Sequence, residues 1–217
     1  AVRRDVTPTI EFVARVEAID TVDLEARVTG FLLHRDFAEG AMVEADQLLF
    51  QIEREPYEIA VAARSADVER MAATLLNAQQ QRERMAELVR RDAQPQARLD
   101  EAIAAEDEAR AARDAAQAAL RQAQLELSYT EIRAPFAGQI GRAAYARGAV
   151  VGPNSGPLAR LVQLDPIYVA MPVTDRALLA VRRAQSAPEG AYQPFLRLAD
   201  GSVLEEPGEF AFYDPQV

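Results

Sequence analysis

The middle of the chain places small and apolar positions at helical spacing and has few residues that break a helix. No glycine lies between Gly40 and Gly138, and Pro95 is the only proline between Pro56 and Pro135. Alanine, the strongest helix former, is the most common residue of this stretch. The pattern therefore predicts long helices, with Pro95 as the point at which the chain turns.

We predict a helical hairpin with arms near 56–91 and 95–127, reversed at Arg91–Pro95. A proline is tolerated at the start of the second arm, because the first turn of a helix leaves its N–H groups unbonded in any case. Small and apolar residues recur at intervals of three and four along both arms, as in an antiparallel coiled coil. The predicted seam comprises Ile59, Ala62, Ala66, Ala73 and Leu76 in the first arm, and Leu99, Ala102, Glu106, Ala109, Arg113, Ala116, Leu120, Ala123 and Leu127 in the second.

Two β-like segments on either side of the hairpin resemble each other. Each contains a glycine, a second glycine ten residues later and a valine three residues after that; these are Gly30, Gly40 and Val43, and Gly138, Gly148 and Val151. The matching spacing predicts an internal repeat. Because each half has too few strands to bury a face alone, we predict that the halves pack together as one flattened β-sandwich, from which the hairpin projects. The four glycines are predicted to allow turns between short strands.

The composition excludes several kinds of chemistry. All 24 basic residues are arginine, and cysteine is absent, which excludes a lipoylated or biotinylated lysine, disulfides and thiolate sites. The net charge of −10 argues against a nucleic-acid partner, since phosphate contacts need a basic face. His34 is the only histidine, and we find no acid–base pair, nucleophile set or phosphate-binding loop. We therefore expect no catalytic residue, no metal and no cofactor.

The repeated segments resemble the half-motifs of the lipoyl/biotinyl-carrier fold. With a hairpin between them, the chain resembles the periplasmic adaptor subunits of tripartite efflux pumps. These are membrane fusion proteins of the HlyD type, and the resemblance is especially to those that serve resistance–nodulation–division (RND) transporters. The matching stretches are 16–18, 28–30, 37–40, 48–52, 56–57, 128–130, 132–138 and 164–169.

The resemblance implies an α+β fold in which an antiparallel coiled-coil hairpin is inserted in a lipoyl-like β-sandwich and followed by a partial β-barrel. The implied domains are an N-terminal strand leading from the barrel (1–20), a discontinuous sandwich (21–54 and 128–163), the hairpin (55–127) and an incomplete barrel (164–217). Within the barrel we expect a short helix at 175–183 and a strand at 210–215. Family members continue further, so we expect that the chain is truncated, is cut by proteolysis or is followed by a disordered part.

The resemblance also implies what the protein does. A non-enzymatic periplasmic adaptor would link an inner-membrane RND transporter to a TolC-like outer-membrane channel for the export of drugs or other small molecules. It would form a ring of six copies and be anchored to the inner membrane by a segment that this chain does not include. Hinges are expected at 55–57 and 128–130.

The family's hairpin tip carries an arginine, a leucine four residues later and a serine seven residues after that. This sequence has Arg84 and Leu88, with Pro95 in place of the serine. The resemblance implies that the tip contacts the channel through Arg84, Leu88, Arg91, Asp92 and Pro95.

Two alternatives remain open. One is an adaptor of an ABC or major-facilitator exporter, against which the stretch 164–169 favours the RND branch. The other is a coiled-coil scaffold without a role in transport, against which the duplicated β segments argue.

Overall fold

Two helices of similar length form the antiparallel hairpin. The computed structural model describes residues 11–172, 194–204, 206–209 and 211. Helix α1 spans Glu55–Arg90 and helix α2 spans Gln96–Ser128. The predicted reversal is therefore confirmed, and Pro56 lies in the first turn of α1, where its missing N–H costs no hydrogen bond.

Strands flank the hairpin on both sides. In chain order, the described strands are β1 (Arg15–Ala18), β2 (Thr21–Glu25), β3 (Gly30–Arg35), β4 (Met42–Val43), β5 (Leu48–Ile52), β6 (Glu131–Arg133), β7 (Gly138–Ile140), β8 (Val150–Val151), β9 (Pro157–Val162) and β10 (Ile167–Ala170). Strands β2 to β9 form two antiparallel sheets, with the orders β2-β9-β7-β4 and β6-β5-β3-β8.

The two sheets follow the internal repeat. In the repeat, β2 corresponds to β6, β3 to β7, β4 to β8 and β5 to β9. Exchanging each strand for its counterpart converts the order of one sheet into that of the other. Each sheet therefore combines strands from both halves; β2 pairs with β9, and β5 pairs with β6. The α+β class is confirmed, with the hairpin inserted in a sandwich that neither half can form alone.

The sandwich core takes inward side chains from both halves. Its large buried members are Leu24, Leu32, Val43, Leu49, Phe50, Ile52, Ile140, Val151, Leu158 and Leu161. The Phe37 ring packs edge-on against Phe50, with ring centroids 5.1 Å apart. Since burying one such side chain contributes about 1.5–3 kcal/mol, this shared core holds the two distant segments together.

The four repeat glycines have two different physical roles. Gly40 and Gly148 have φ values of +78° and +85°, in turns where a side chain would be strained. Gly30 and Gly138 are not turn residues, which corrects the expectation; they begin β3 and β7. A Cβ on Gly138 would lie 2.4 Å from the Val162 carbonyl oxygen, and one on Gly30 would lie 2.7 Å from Ile52 Cγ2. Because these two glycines have no side chain, neighbouring residues of the same chain can pack closely against them.

The helical seam matches the prediction in one arm only. All predicted positions of α2 are buried or half-buried, and Ala102, Glu106, Ala109 and Ala123 are fully buried. The prediction for α1 is wrong, since Ile59 and Leu76 are 63% and 55% exposed. The inward residues of α1 instead include Val61, Val68, Leu75, Arg82 and Val89. Alanine occurs on several sides of α1, so the sequence pattern has little contrast.

The chain divides into two compact units, Ala18–Ile167, and Ala1–Glu17 with Tyr168–Val217. In the second unit, β1 and β10 form a two-stranded sheet, and Arg197 Nη1 donates a hydrogen bond of 2.9 Å to Glu11 Oε1. The expected helix at 175–183 lies outside the described residues, as does the expected strand at 210–215 apart from Ala211. Neither α1 nor α2 contains an apolar stretch long enough to span a membrane.

Candidate functional site

The hairpin tip is a tight turn closed by backbone hydrogen bonds. Ala93 N–H donates to the Leu88 carbonyl, and Asp92 N–H donates to the Val89 carbonyl, both at 2.9 Å. This pair of bonds is the Schellman arrangement, which satisfies the last carbonyls of a helix. It requires a left-handed residue, and Asp92 takes that role with φ of +55°. The tip is therefore a defined shape rather than a loose loop.

Helix α2 begins directly after this turn. Pro95 is its N-cap residue, with an extended backbone (φ −67°, ψ 148°) and no side-chain capping bond. Its carbonyl accepts a hydrogen bond of 3.0 Å from Arg98 N–H. A serine here would have the backbone geometry in which its hydroxyl can cap the helix, and proline leaves that position apolar.

The structure distributes the five predicted tip residues over the end of the hairpin. Arg91, Asp92 and Pro95 lie in or beside the turn and are exposed. Leu88 is half-buried one turn below, whereas Arg84 is exposed a further turn down α1. Arg84 Nε and Nη2 both donate to Gln81 Oε1, at 3.2 and 2.8 Å. Arg84 thus lies on the side of the hairpin and not at its apex.

The apex carries ion pairs beside the predicted tip residues. Glu87 lies between two arginines, with its carboxylate oxygens 3.1 Å from Arg90 Nη1 and 2.6 Å from Arg91 Nη2. Arg98 pairs with Glu101 at 2.9 Å on the other helix. The interval of four residues predicts the Glu87–Arg91 pair from the sequence, and intervals of three residues are the signal for the other two pairs.

A charged cluster interrupts the seam below the tip. Glu106 is 6% exposed, and Arg110 Nη2 donates a hydrogen bond of 2.5 Å to its Oε1. Arg82, from the other helix, places Nε 2.5 Å from Glu106 Oε2 without the alignment of a hydrogen bond, so this contact is an ion pair. One carboxylate between two guanidinium groups joins the arms at this level.

The base of the hairpin is joined to the sandwich by a second charged cluster. Glu131, three residues after α2, accepts hydrogen bonds from Arg54 Nη1 and, at 2.7 Å, from Arg133 Nη2. Arg133 Nη1 also donates to the Asp46 carbonyl at 2.9 Å. The Arg133 hydrogen bond, together with the charge of Arg54, lowers the pKa of the Glu131 carboxyl below its ordinary value. The cluster therefore connects the start of α1, the strand after α2 and the β4–β5 loop.

Two tyrosines at the helix ends contact the β2–β3 turn. Tyr57 Oη, in the first turn of α1, donates a hydrogen bond of 2.8 Å to the Thr29 carbonyl. Tyr129 ends α2, and the Arg27 guanidinium lies over its ring, 5.1 Å from the centroid. Both segments expected as hinges thus contain residues that contact the sandwich.

The described part of the chain offers no cluster of three or more histidine, cysteine, aspartate or glutamate side chains that could hold a metal ion. Its charged groups form ion pairs within each helix, the Glu106 cluster in the seam and the Glu131 cluster at the hairpin base. We call the Glu131 cluster the clamp. These ion pairs and hydrogen bonds fix the shape of the hairpin and hold it rigidly on the sandwich. A rod that ends in a defined charged tip and is clamped to a two-half sandwich has the architecture of a membrane fusion protein.

Comparison with known proteins identifies the family. The family described as "RND MFP, barrel-sandwich hybrid domain" matches residues 20–163, about two thirds of the chain, and the chain belongs to this family. A relative from Brucella suis, "Efflux pump periplasmic linker BepF", is 48% identical over 176 residues, which are 81% of this chain and 43% of the relative. "Multidrug resistance protein MexA" of Pseudomonas aeruginosa is 33% identical over 219 residues, covering 98% of this chain and 54% of that protein.

A solved structure shares the fold. It is described as a putative efflux transporter from Bacteroides eggerthii, with a TM-score of 0.57 and 23% identity over 93% of this chain and 64% of that chain. The chain spans about half the length of the relatives that it matches.

Proposed function

We propose that this chain is the sandwich-and-hairpin part of a non-enzymatic periplasmic adaptor. It links an inner-membrane RND transporter to a TolC-like outer-membrane channel for the export of drugs or other small molecules. The observation that carries the proposal is the discontinuous sandwich with a clamped hairpin, in a chain of the RND membrane fusion family. The names of the relatives, an efflux pump periplasmic linker and a multidrug resistance protein, support the periplasmic location and the link to efflux.

The remaining features of this proposal rest on the resemblance. Residues 164–217 begin a β-barrel and residues 1–20 lead from it, and the pairing of β1 with β10 supports this arrangement. The adaptor forms a ring of six copies. The family match favours an RND transporter over an ABC or major-facilitator exporter.

The hairpin tip is proposed as the contact with the channel. Arg91, Asp92 and Pro95 form the exposed apex, and Leu88 and Arg84 lie below it on α1. A turn closed by the Schellman bonds presents these groups in one geometry. A rigid tip loses little conformational entropy on docking, which favours binding.

Site-specific crosslinking tests the proposal. The chain contains no cysteine, so Arg91→Cys provides one attachment point for a short bifunctional crosslinker, with a purified TolC-like channel as target. Ile59→Cys, exposed near the hairpin base, is the matched control. We expect crosslinking from Arg91→Cys and none from Ile59→Cys. Equal yields from both positions, or none from the tip, would contradict a channel contact there.

A further inference from the structure

The hairpin leaves the sandwich through two very short links. Only residues 53 and 54 separate β5 from α1, and only residues 129 and 130 separate α2 from β6. Strands β5 and β6 are paired neighbours in one sheet, so the two arms start from adjacent, hydrogen-bonded strands. Neither link contains glycine, the residue with the greatest backbone freedom. The links therefore offer little length over which the chain could bend.

The backbone of both links is hydrogen-bonded. Glu53 N–H donates to the Phe31 carbonyl at 2.9 Å, and Ile52 N–H donates to the Thr130 carbonyl at 2.8 Å. Thr130 is fully buried, and its hydroxyl donates a hydrogen bond of 2.7 Å to the Leu127 carbonyl in the last turn of α2. A hinge residue must be free to change φ and ψ. Such a change here would break these bonds and leave buried polar groups unpaired, which is unfavourable.

Side chains hold the hairpin base at two separate places. Tyr57 and Tyr129, one at each helix end, contact the β2–β3 turn through the Thr29 carbonyl and the Arg27 guanidinium. This turn connects the two sheets of the sandwich. The clamp is centred on β6 and joins the start of α1 to the β4–β5 loop. The clamp and the tyrosine contacts share no residue, so each set remains when the other is lost.

We propose that the hairpin base is a lock, formed by the two hydrogen-bonded links, the clamp and the two tyrosine contacts. The hairpin and the sandwich then move as one rigid body within the compact unit Ala18–Ile167. The segments 55–57 and 128–130, for which the family resemblance implies hinges, transmit motion in this chain instead of absorbing it. The inference goes beyond the proposed function and does not depend on a channel contact.

The lock has a mechanical consequence at the hairpin tip. Helix α1 contains 36 residues and is therefore about 54 Å long. A rotation of the sandwich by about 10° would move the end of such a rod by about 9 Å. With a free hinge at the base, the same rotation would be absorbed there. The lock therefore makes the orientation of the sandwich determine the position of the tip.

Distance measurements between spin labels test the lock. The chain contains no cysteine, so labels attach only at introduced positions. Met42→Cys on the sandwich and Leu76→Cys on the hairpin are exposed sites on either side of the base. The control pair, Leu76→Cys with Leu125→Cys, has both exposed sites on the hairpin and no joint between them. We expect distance distributions of equal width from electron paramagnetic resonance. A distribution several-fold wider across the base would show a hinge and overturn the proposal.

Two substitutions then separate the parts of the lock. Glu131→Gln removes the central charge of the clamp, and Tyr57→Phe removes the hydroxyl that donates to the Thr29 carbonyl. We expect each to broaden the distribution across the base, and the two together to broaden it more than either alone. Asp23→Asn, which weakens only a surface contact with Arg160, should keep the wild-type width. Wild-type width in the double variant would refute the lock. The comparison of label pairs needs neither substitution, so it decides the question even if the double variant does not fold.

Discussion

Glu106 Oε2 lies 2.5 Å from Arg82 Nε across the hairpin seam, and Glu106 is the only fully buried charged residue in the described part of the chain. Burying a carboxylate is unfavourable unless cations pair with it. Arg82 from α1 and Arg110 from α2 supply those cations. The contact also sets the level at which the two helices meet, because only one alignment of the arms brings Arg82 to Glu106.

Glu106→Gln is expected to destabilise the chain. The variant keeps the shape of the side chain but leaves Arg82 and Arg110 without their buried counter-charge. Because both arginines are partly exposed, we expect the free energy of unfolding to fall by only about 1–3 kcal/mol. Urea unfolding followed by far-UV circular dichroism measures the effect, and Glu108→Gln, at an exposed position of the same helix, is the control. Arg82→Met combined with Glu106→Leu is expected to be near neutral; a loss as large as that of Glu106→Gln would argue against this explanation.

Asp92→Gly is expected to stabilise the hairpin. Asp92 has φ of +55°, a conformation that glycine adopts without the steric cost of a Cβ. The free energy of unfolding should therefore rise by about 0.5–1 kcal/mol. Asp92→Val should lower stability, since a β-branched residue is strongly disfavoured there. Thermal unfolding of both variants provides the measurement. Equal melting temperatures would show that the turn does not hold this backbone conformation in solution.

Pro95→Ser is expected to change stability little and Pro95→Ala to lower it. Serine gains an N-cap hydrogen bond but loses the restriction that proline places on the unfolded chain, and each effect is about 1 kcal/mol. Alanine loses the restriction without providing a cap. If the two variants unfold at the same urea concentration, residue 95 does not act as the N-cap.

Acidification should weaken the clamp at the hairpin base. The pKa of Glu131 is lowered in the folded chain by its hydrogen bond from Arg133 and by the charge of Arg54, so the clamp contributes fully above the ordinary glutamate value of 4.5. Its contribution is lost as the pH falls through the lower, folded-state pKa. Urea unfolding of wild type and Glu131→Gln at neutral and acidic pH should show a stability difference that shrinks at acidic pH.

Asp23 provides the comparison for that experiment. Its pKa is also lowered, by a hydrogen bond from Arg160, but it lies on the outer face of β2, away from the helix ends. Asp23→Asn should therefore change the pH dependence of the sandwich without changing the angle of the hairpin. Spin labels on the hairpin and the sandwich can measure that angle. A broadened distance distribution in Asp23→Asn, and none in Glu131→Gln, would be evidence against the clamp.

Gly138→Ala and Gly148→Ala should differ in severity. A Cβ at Gly138 would lie 2.4 Å from the Val162 carbonyl oxygen, so β7 must move away from β9 at a cost of about 3 kcal/mol. Gly148 has open space around its Cβ position and only an unfavourable φ of +85°, which costs about 1–2 kcal/mol. Melting temperatures rank the two variants, and a larger loss in Gly148→Ala would contradict the close-approach role of Gly138.

The sequence by itself determined the hairpin, its point of reversal and the duplicated sandwich. These features depend on local properties: helix propensity, the missing N–H of Pro95 and the spacing of glycines and buried apolar residues along one segment. The inward face of α2 was also readable, because Leu99, Leu120 and Leu127 are separated by multiples of seven residues.

Tertiary structure alone decided the remaining features. The inward face of α1 depends on the level at which Arg82 meets Glu106, and the repeated alanines of α1 carry little information about it. Arg54, one of the two partners of Glu131, lies 77 residues away in the sequence, and folding brings the two ends of the hairpin together. Gly138 is required by the close approach of Val162 on β9, and the spacing of glycines along the sequence does not show that β7 and β9 are neighbours. Contacts between distant segments follow from how the two halves pack, and no local pattern encodes that packing.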